Sequence, residues 1–372
     1  MNFIRDNILK IIIIIIVIFL FIFGLSACSK FSAGKPASSK YEEMENKLKE
    51  AAIKFTKENT RYLPQEVNES SKLNMRILVT NDKLAQFYAN EDSSKACTGY
   101  VSITKKSEGT YSYVPFIKCG KYYETMTLSN YIKENDKVVT SDDGLYNYNN
   151  TLVYRGERAK NNLVINQRPY RIVSISENGE VRVVDTKKYT DRNPWDDRYN
   201  NTVGKEYGIN IFEKSRLKDY LNSYYETDNE YFTDYLRSVI VPHDICVGPV
   251  PKDNSDFSGN VECQVVSENQ YIGLLQANEY FRASIDSNCK TINNYECGNY
   301  NYMMNINQWS IVTQNPTLEN SYQVLSISDG RVNYIRASSS FNIYLTFYLD
   351  ANVLYNSGDG TVNNPYTLRW WK

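Results

Sequence analysis

Histidine is almost missing from this chain. His243 is the only one in 372 residues, which excludes a multi-His metal site and any mechanism that needs two imidazoles. Basic blocks are missing too. Lys and Arg number 42 against 43 Asp and Glu, for a net charge of -1, and no run is long enough to track phosphates, so nucleic acid is not an expected partner. None of the cysteine spacings is C-x-x-C, so no zinc site is expected either. No carboxylate spacing selects a catalytic pair. Asp196, Asp197, Glu206, Asp219 and Asp244 read as solvated acids, although glycoside hydrolysis needs only two carboxyls. "DNSDFSGNVE" (253–262) misses the EF-hand pattern because its glycine comes one position late. "SGDGT" (357–361) reads as a turn. His243 and Cys246 lie three apart and could form a Cys–His pair, but a disulfide is the stronger expectation for Cys246. The sequence thus predicts no metal, no cofactor and no enzyme, with a glycan-acting hydrolase as the weakest of three readings.

What is present begins with an apolar run. Arg5 and Lys10 precede it, Ile11 to Phe23 is wholly apolar, and "GLSAC" (24–28) follows. A positive segment, an apolar stretch and small residues before a cut site make a secretory signal. Leu25-Ser26-Ala27-Cys28 also matches the bacterial lipobox, which implies lipidation of the Cys28 thiol and cleavage before it. The alternative is a retained transmembrane helix, since Lys10 and Lys30 bracket 19 residues, close to the ~20 that span a bilayer. Either anchor keeps the positive end inside and places the rest on the extracellular side of the cell membrane. Cysteine parity favours the lipid. Removing Cys28 from the seven leaves six, and an exported chain with an even number reads as disulfide-bonded. Sequence neighbours are the favoured pairs: Cys97–Cys119, Cys246–Cys263 and Cys289–Cys297.

The organisation expected is a signal or membrane segment over 1–28, a flexible Ser/Lys/Gly spacer over 29–40, an α+β head over 41–145 and a β-rich domain over 150–372. In the head, Met44, Leu48, Ala51, Ala52 and Phe55 form one helical stripe between Tyr41 and Asn59. "MRILVT" (75–80) reads as a strand and "NDKLAQFYA" (81–89) as a short helix. "CTGYVSITK" (97–105) and "SYVPFIKCG" (112–120) form a hairpin about Ser107-Glu108-Gly109. Beyond the "SDDG" turn (141–144), Asn178-Gly179 and Asp329-Gly330 are strong hairpin signals. "FEKSRLKDYLNSYYE" (212–226), "YFTDYLRSVI" (231–240) and the end of "YIGLLQANEYFRAS" (271–284) supply helices. "QWSIVTQN" (308–315), "YQVLSISDGRVNYIRAS" (322–338) and "FNIYLTFYLDANVLY" (341–355) supply strands.

The long helix followed by "ACTGYVSI" and "YVPFIKCGKYYET" resembles the globular head of pilin-like and pseudopilin-like proteins of low-GC Gram-positive bacteria. The apolar run lacks the pilin-type Glu and is separated from the helix by the spacer, so the resemblance implies a head rather than a polymerising pilin. From about 160 to 368, "YRIVSI", "SRLKDYLNSYY", "IGLLQANEYFRAS", "QWSIVTQNP", "VLSISDGRV" and the closing "GDGTVNNPYTL" resemble an uncharacterised extracellular domain of Firmicutes. Its plan is similar to C-type-lectin-like and formylglycine-generating-enzyme-like folds.

Tyrosine is plentiful, 32 against 14 Phe and 4 Trp. It combines an apolar ring with a polar tip and suits half-wet binding faces, although a low-GC coding bias yields the same excess. "NPWDDRYNN" holds the candidate ligand-binding residues Trp195, Asp196, Asp197, Tyr199 and Asn200, because a sugar ring asks for an aromatic face with Asp and Asn at its rim. The leading expectation is a membrane-anchored, non-catalytic surface protein that binds a cell-wall or host glycan or a surface protein. A structural component of a pseudopilin-like system is second. Intact-mass spectrometry of the mature protein checks the anchor: the expected chain starts at Cys28 with a diacylglyceryl group and carries three disulfides, whereas a mass starting at Met1 identifies a retained helix.

Overall fold

A computed structural model describes residues 39–89, 95–251, 256, 258–314 and 319–369. Cys28, the apolar run and most of the spacer lie outside the described residues. Among those described, no helix is long and apolar enough to cross a membrane. The fold is mixed α+β, with more strand than helix.

The first body is one helix on one antiparallel sheet. α1 (Ser39–Glu58) buries Leu48, Ala51, Ala52 and Phe55, the stripe expected from the sequence. It packs on β1 (Ser70–Asn74), β2 (Thr98–Ser107), β3 (Thr110–Cys119) and β4 (Tyr123–Glu124), which are adjacent in that order. The expected hairpin is present. Gly109 takes a φ of 71° at its turn, a conformation most side chains resist, and the Cys97–Cys119 disulfide closes its open end. "MRILVT" is not a strand: it forms α2 (Met75–Thr80). The Asn74 side chain accepts from the Arg76 N–H and caps the turn, while Met75 and Leu78, three apart, are its buried residues. The segment 81–89 is turn and extended chain rather than helix.

The hydrophobic core then divides, and it does so earlier than the sequence signals. Thr125 is still tied to the head sheet by its backbone, its N–H donating to Ile117 O. Thr127 caps α3 (Leu128–Asn135), whose Leu128 and Ile132 join the larger core with Leu145. Backbone bonds from Leu128 N to Val353 O and from Tyr355 N to Met126 O stitch this segment to the end of the chain. The "SDDG" turn therefore lies within the second body.

That body holds two large sheets around a single core. The nine-stranded sheet contains β5 (Gly144–Tyr148), β6 (Thr151–Arg155), β7 (Asn162–Ile165), β8 (Arg168–Ile175), β9 (Val181–Asp185), β11 (Ile240–Val241), β19 (Thr346–Leu349), β20 (Leu354–Ser357) and β21 (Tyr366–Arg369). The six-stranded sheet contains β10 (Thr190–Pro194), β13 (Pro249–Val250), β15 (Gln308–Gln314), β16 (Gln323–Ser328), β17 (Arg331–Arg336) and β18 (Ser340–Ile343). β12 (His243–Cys246) pairs with β14 (Val266–Gln270). Both expected glycine turns join neighbouring strands, β8 to β9 and β16 to β17. Helices α4 (Arg216–Thr227), α5 (Asp234–Val239) and α6 (Ala277–Ala283) fall where the apolar spacing placed them. Disulfides join Cys246 to Cys263 and Cys289 to Cys297, so all three pairs link sequence neighbours.

The two bodies are joined by charge. Arg369 on β21 contacts Glu45 of α1 at 3.0 Å and Tyr123 Oη at 2.8 Å. Tyr123 at 2.9 Å and Thr125 also donate to the same Glu45 oxygen, and Glu45 is fully buried. Lys106 of β2 meets Asp350 of the second body at 2.9 Å. Arg369→Met strands the Glu45 charge in the interior and is expected to cost about 3–5 kcal/mol in denaturant unfolding, with Glu45→Met/Arg369→Met recovering part of the loss.

Candidate functional site

A cleft of about 600 Å³ lies between the two bodies. That volume suits a small ligand or a short stretch of polymer. One wall is the head. Lys49 and Ile53 come from α1, Thr104 and Lys106 from β2, and Thr110 to Val114 from β3. The facing wall is α5 with Tyr225, Ile240, Tyr271 and the 350–354 turn.

The chemistry of that second wall follows from local structure. Thr233 caps α5 by accepting from the Leu236 N–H. The helix presents Arg237 back to the end of α4, where its guanidinium donates to the carbonyls of Tyr225 and Asp228. A cation there complements the helix dipole. The same guanidinium lies 4.9 Å from the Tyr225 ring centre, and Tyr225 stacks on Tyr271 at 4.6 Å and 7°. Burial pushes the Tyr225 hydroxyl up to about 12, so it stays a neutral donor and acceptor at physiological pH. Asp350 orders its own turn, accepting from the Asn352 N–H and side-chain amide, and keeps its other oxygen on Lys106. Across the cleft, Tyr113 bonds Thr56 through its hydroxyl at 2.8 Å. Lys49, Lys106, Arg237 and Arg369 line the space with Asp234 and Asp350; with Lys106 paired to Asp350 and Arg369 to Glu45, Lys49 and Arg237 stand against Asp234, a positive margin of one charge.

The residues expected from the sequence to bind ligand are not in this cleft. Trp195 and Asp196 are 0% exposed and Asn200 is 1% exposed. The Trp195 ring meets Phe212 edge-on at 6.2 Å and its N–H donates to Ser310 O at 3.3 Å, which is core packing. Asp196 pairs with Arg198 and accepts from the Arg216 N–H. Asn200 holds the loop together through Gly208 O at 2.7 Å. A ligand cannot reach these three side chains, because burial and internal partners already occupy them. Tyr199, 56% exposed, and Asp197, paired with Arg216 at 3.0 Å, remain open. The "NPWDD" stretch is therefore mainly scaffold. The cleft residues escaped notice because "TYSYV" and "YLRSVI" read only as strand and helix; the high tyrosine content was the one signal that bore on them.

The other candidates resolve in the same way. Cys246 is bonded to Cys263 and has no thiolate to offer His243. Asp244 accepts from the Asn269 N–H. In "SGDGT", Asp359 accepts from the N–H and hydroxyl of Thr361, and a side chain at Gly360 would collide with Lys160 O at 2.1 Å. Among the described residues, no group of three or more His, Cys, Asp or Glu is placed to hold a metal ion.

Comparison with protein-family models, curated proteins and solved structures returns no match.

His243 stacks on Tyr348 at 3.9 Å, with Asp244 O at 3.1 Å and Glu180 at 3.4 Å. The bond to Glu180 raises the imidazole above its ordinary value, against burial and the nearby Arg182 charge. The folded value is therefore above the unfolded one. The pair's stabilisation is full below about 6.5 and is lost as pH rises through the raised value. NMR titration is expected to place the His243 midpoint above the free-histidine value, and Glu180→Gln is expected to lower it.

Proposed function

We propose that this chain is a membrane-anchored, extracellular, non-catalytic binding protein whose ligand occupies the cleft between the two bodies. The cleft carries the reading. It combines stacked tyrosine faces, a cationic margin and Asp and Asn acceptors in a space of about 600 Å³, which is the chemistry of recognition. Three disulfides in the folded bodies support an oxidising location outside the cytoplasm. An anchor at Cys28, or in the apolar run before it, holds the protein at the membrane. In this reading the head, with α1 lying on a four-stranded antiparallel sheet, is pilin-like, and the second body is lectin-like. Cell-wall or host glycans and surface proteins are the ligand classes considered. A role as an assembly component of a pseudopilin-like surface system is the second reading, favoured by the helix-on-sheet plan of the head.

The test is binding by the full chain in detergent to immobilised glycans and peptides. Tyr271→Ala removes half of the stacked pair and is expected to weaken binding about ten-fold, or about 1.4 kcal/mol. Tyr199→Ala, in the exposed loop outside the cleft, is expected to leave it unchanged. The opposite pattern moves the site to that loop, and co-purification with pilus assembly proteins without binding to either array supports the second reading.

A further inference from the structure

The head sheet has an open edge, and it faces the cleft. β4 pairs with β3 only at Lys118 and Cys119, so among the described residues the rest of β3 has no strand on its outer side. The register shows which of its backbone groups point outward. Lys105 exchanges backbone bonds with the chain entering β1, donating to Glu69 O and accepting from the Asn68 N–H. Its groups therefore point away from β3. Lys105 faces Tyr111 across the β2–β3 ladder, which runs without a register shift from Thr98 to Lys105. In an antiparallel ladder such a pair is non-hydrogen-bonded, so the Tyr111 N–H and C=O point off the sheet. Alternation extends this to Tyr113, Pro115 and Ile117. Ile117 bears it out, because its C=O accepts from the Thr125 N–H and its N–H donates to the Thr125 hydroxyl on the outer side.

Pro115, which has no N–H to offer, is buried. The stretch from Tyr111 to Val114 is partly buried and lines the cleft. Residues of both faces border it: Tyr111 and Tyr113, which pack on the head core, and Ser112 and Val114, which alternate with them. Consecutive residues of a strand border one opening where that opening runs along the strand's edge, and that placement is taken for Tyr111 to Val114.

We propose that the cleft takes an extended peptide segment of acidic character, which adds to β3 as a further strand. This rests on the cleft being the binding site and names its ligand class. The peptide backbone pairs with the outward groups of Tyr111 and Tyr113, as in strand addition elsewhere. Its acidic side chains face Lys49 and Arg237, which outnumber Asp234 once the Lys106–Asp350 and Arg369–Glu45 pairs are set aside. Tyr225 and Tyr271 cover the far side of the added strand.

The probe is a fluorescent set of synthetic peptides of about eight residues that alternate Val or Thr with Glu, tested by anisotropy against the full chain in detergent. Saturable binding is expected, weakening as salt rises. N-methylating every second amide is expected to weaken binding about ten-fold in one register and little in the other, because an added strand uses only alternate groups. On the protein, Tyr111→Pro is compared with Tyr111→Ala. Both lose the ring and only the proline loses the outward N–H, so the proline variant is expected to bind about ten-fold more weakly than the alanine variant. Equal loss in both methylation registers, or no loss in either, overturns the proposal even if the proline variant misfolds. Absence of peptide binding overturns it too. If a glycan then binds and is lost in Tyr271→Ala, the cleft stands as a site with a different ligand. If nothing binds there, the cleft reading fails with it.

Discussion

One buried carboxylate governs how the two bodies meet. Glu45 sits on the first described helix, Arg369 on the last strand, and a single Glu45 oxygen collects donors from Arg369, Tyr123 and Thr125. Burying a charge this completely is unfavourable unless its hydrogen bonds are replaced. The three donors reach Glu45 Oε1 only when α1, β4 and β21 hold these relative positions, and Oε2 is buried without a hydrogen-bond partner among the described residues. Each partner is itself restrained. β21 is hydrogen-bonded on both sides, to β7 and β20, and Tyr123 stacks on Tyr41 at 4.4 Å. Burial, with the Glu45 charge beside it, pushes the Tyr123 hydroxyl up to about 12, so it remains a donor. Lys106 and Asp350 add a second, more exposed link between the same bodies. The cleft is the space these links leave, and its width follows from them.

Tyrosine supplies much of the remaining cohesion. Tyr154 and Tyr366 both donate to Asp136, at 2.6 and 3.1 Å. Tyr189 donates to Asp228 at 2.6 Å, and Tyr170, Tyr231, Asp185 and Arg168 form a connected set. The rings pack on the core while the hydroxyls of Tyr154, Tyr366, Tyr189 and Tyr231 donate to carboxylates and that of Tyr170 donates to Tyr231. The excess of tyrosine over phenylalanine is thus largely structural. At the cleft, Tyr111, Tyr113, Tyr225 and Tyr271 border open space instead.

Local patterns in the sequence predicted local structure well. The stripe of α1, the glycine turns at 109, 179 and 330, and the three neighbour disulfides depend on contacts between residues close in sequence, so spacing and turn chemistry suffice to find them. Errors arose where distant contacts decide. "MRILVT" is β-branched enough for a strand, yet the cap from Asn74 and the burial of Met75 and Leu78 make it a helix. The "SDDG" turn is real, but the core divides near Thr125 because Leu128 and Ile132 find their partners at residues beyond 350. Trp195 has the company of a sugar site in sequence, and in space it meets Phe212 and Ser310 O instead. Tyrosine content aside, the sequence carries no sign of the cleft, since its walls come from residues 49–114 and 225–369 and nothing in either stretch refers to the other.

An unpaired strand edge is normally blunted by charge, proline or a covering element, because it invites pairing with other chains. β3 uses two of these devices over half its length, Pro115 at one outward position and Thr125 on Ile117. The other half, from Tyr111 to Val114, carries no charged side chain and is sheltered by the second body rather than capped. Shelter and capping have different consequences. A capped edge has its backbone groups already bonded, whereas a sheltered edge keeps them available to whatever the space beside it admits. The Glu45–Arg369 link is what keeps that shelter in place, so the contact that orients the two bodies also determines what can reach the edge.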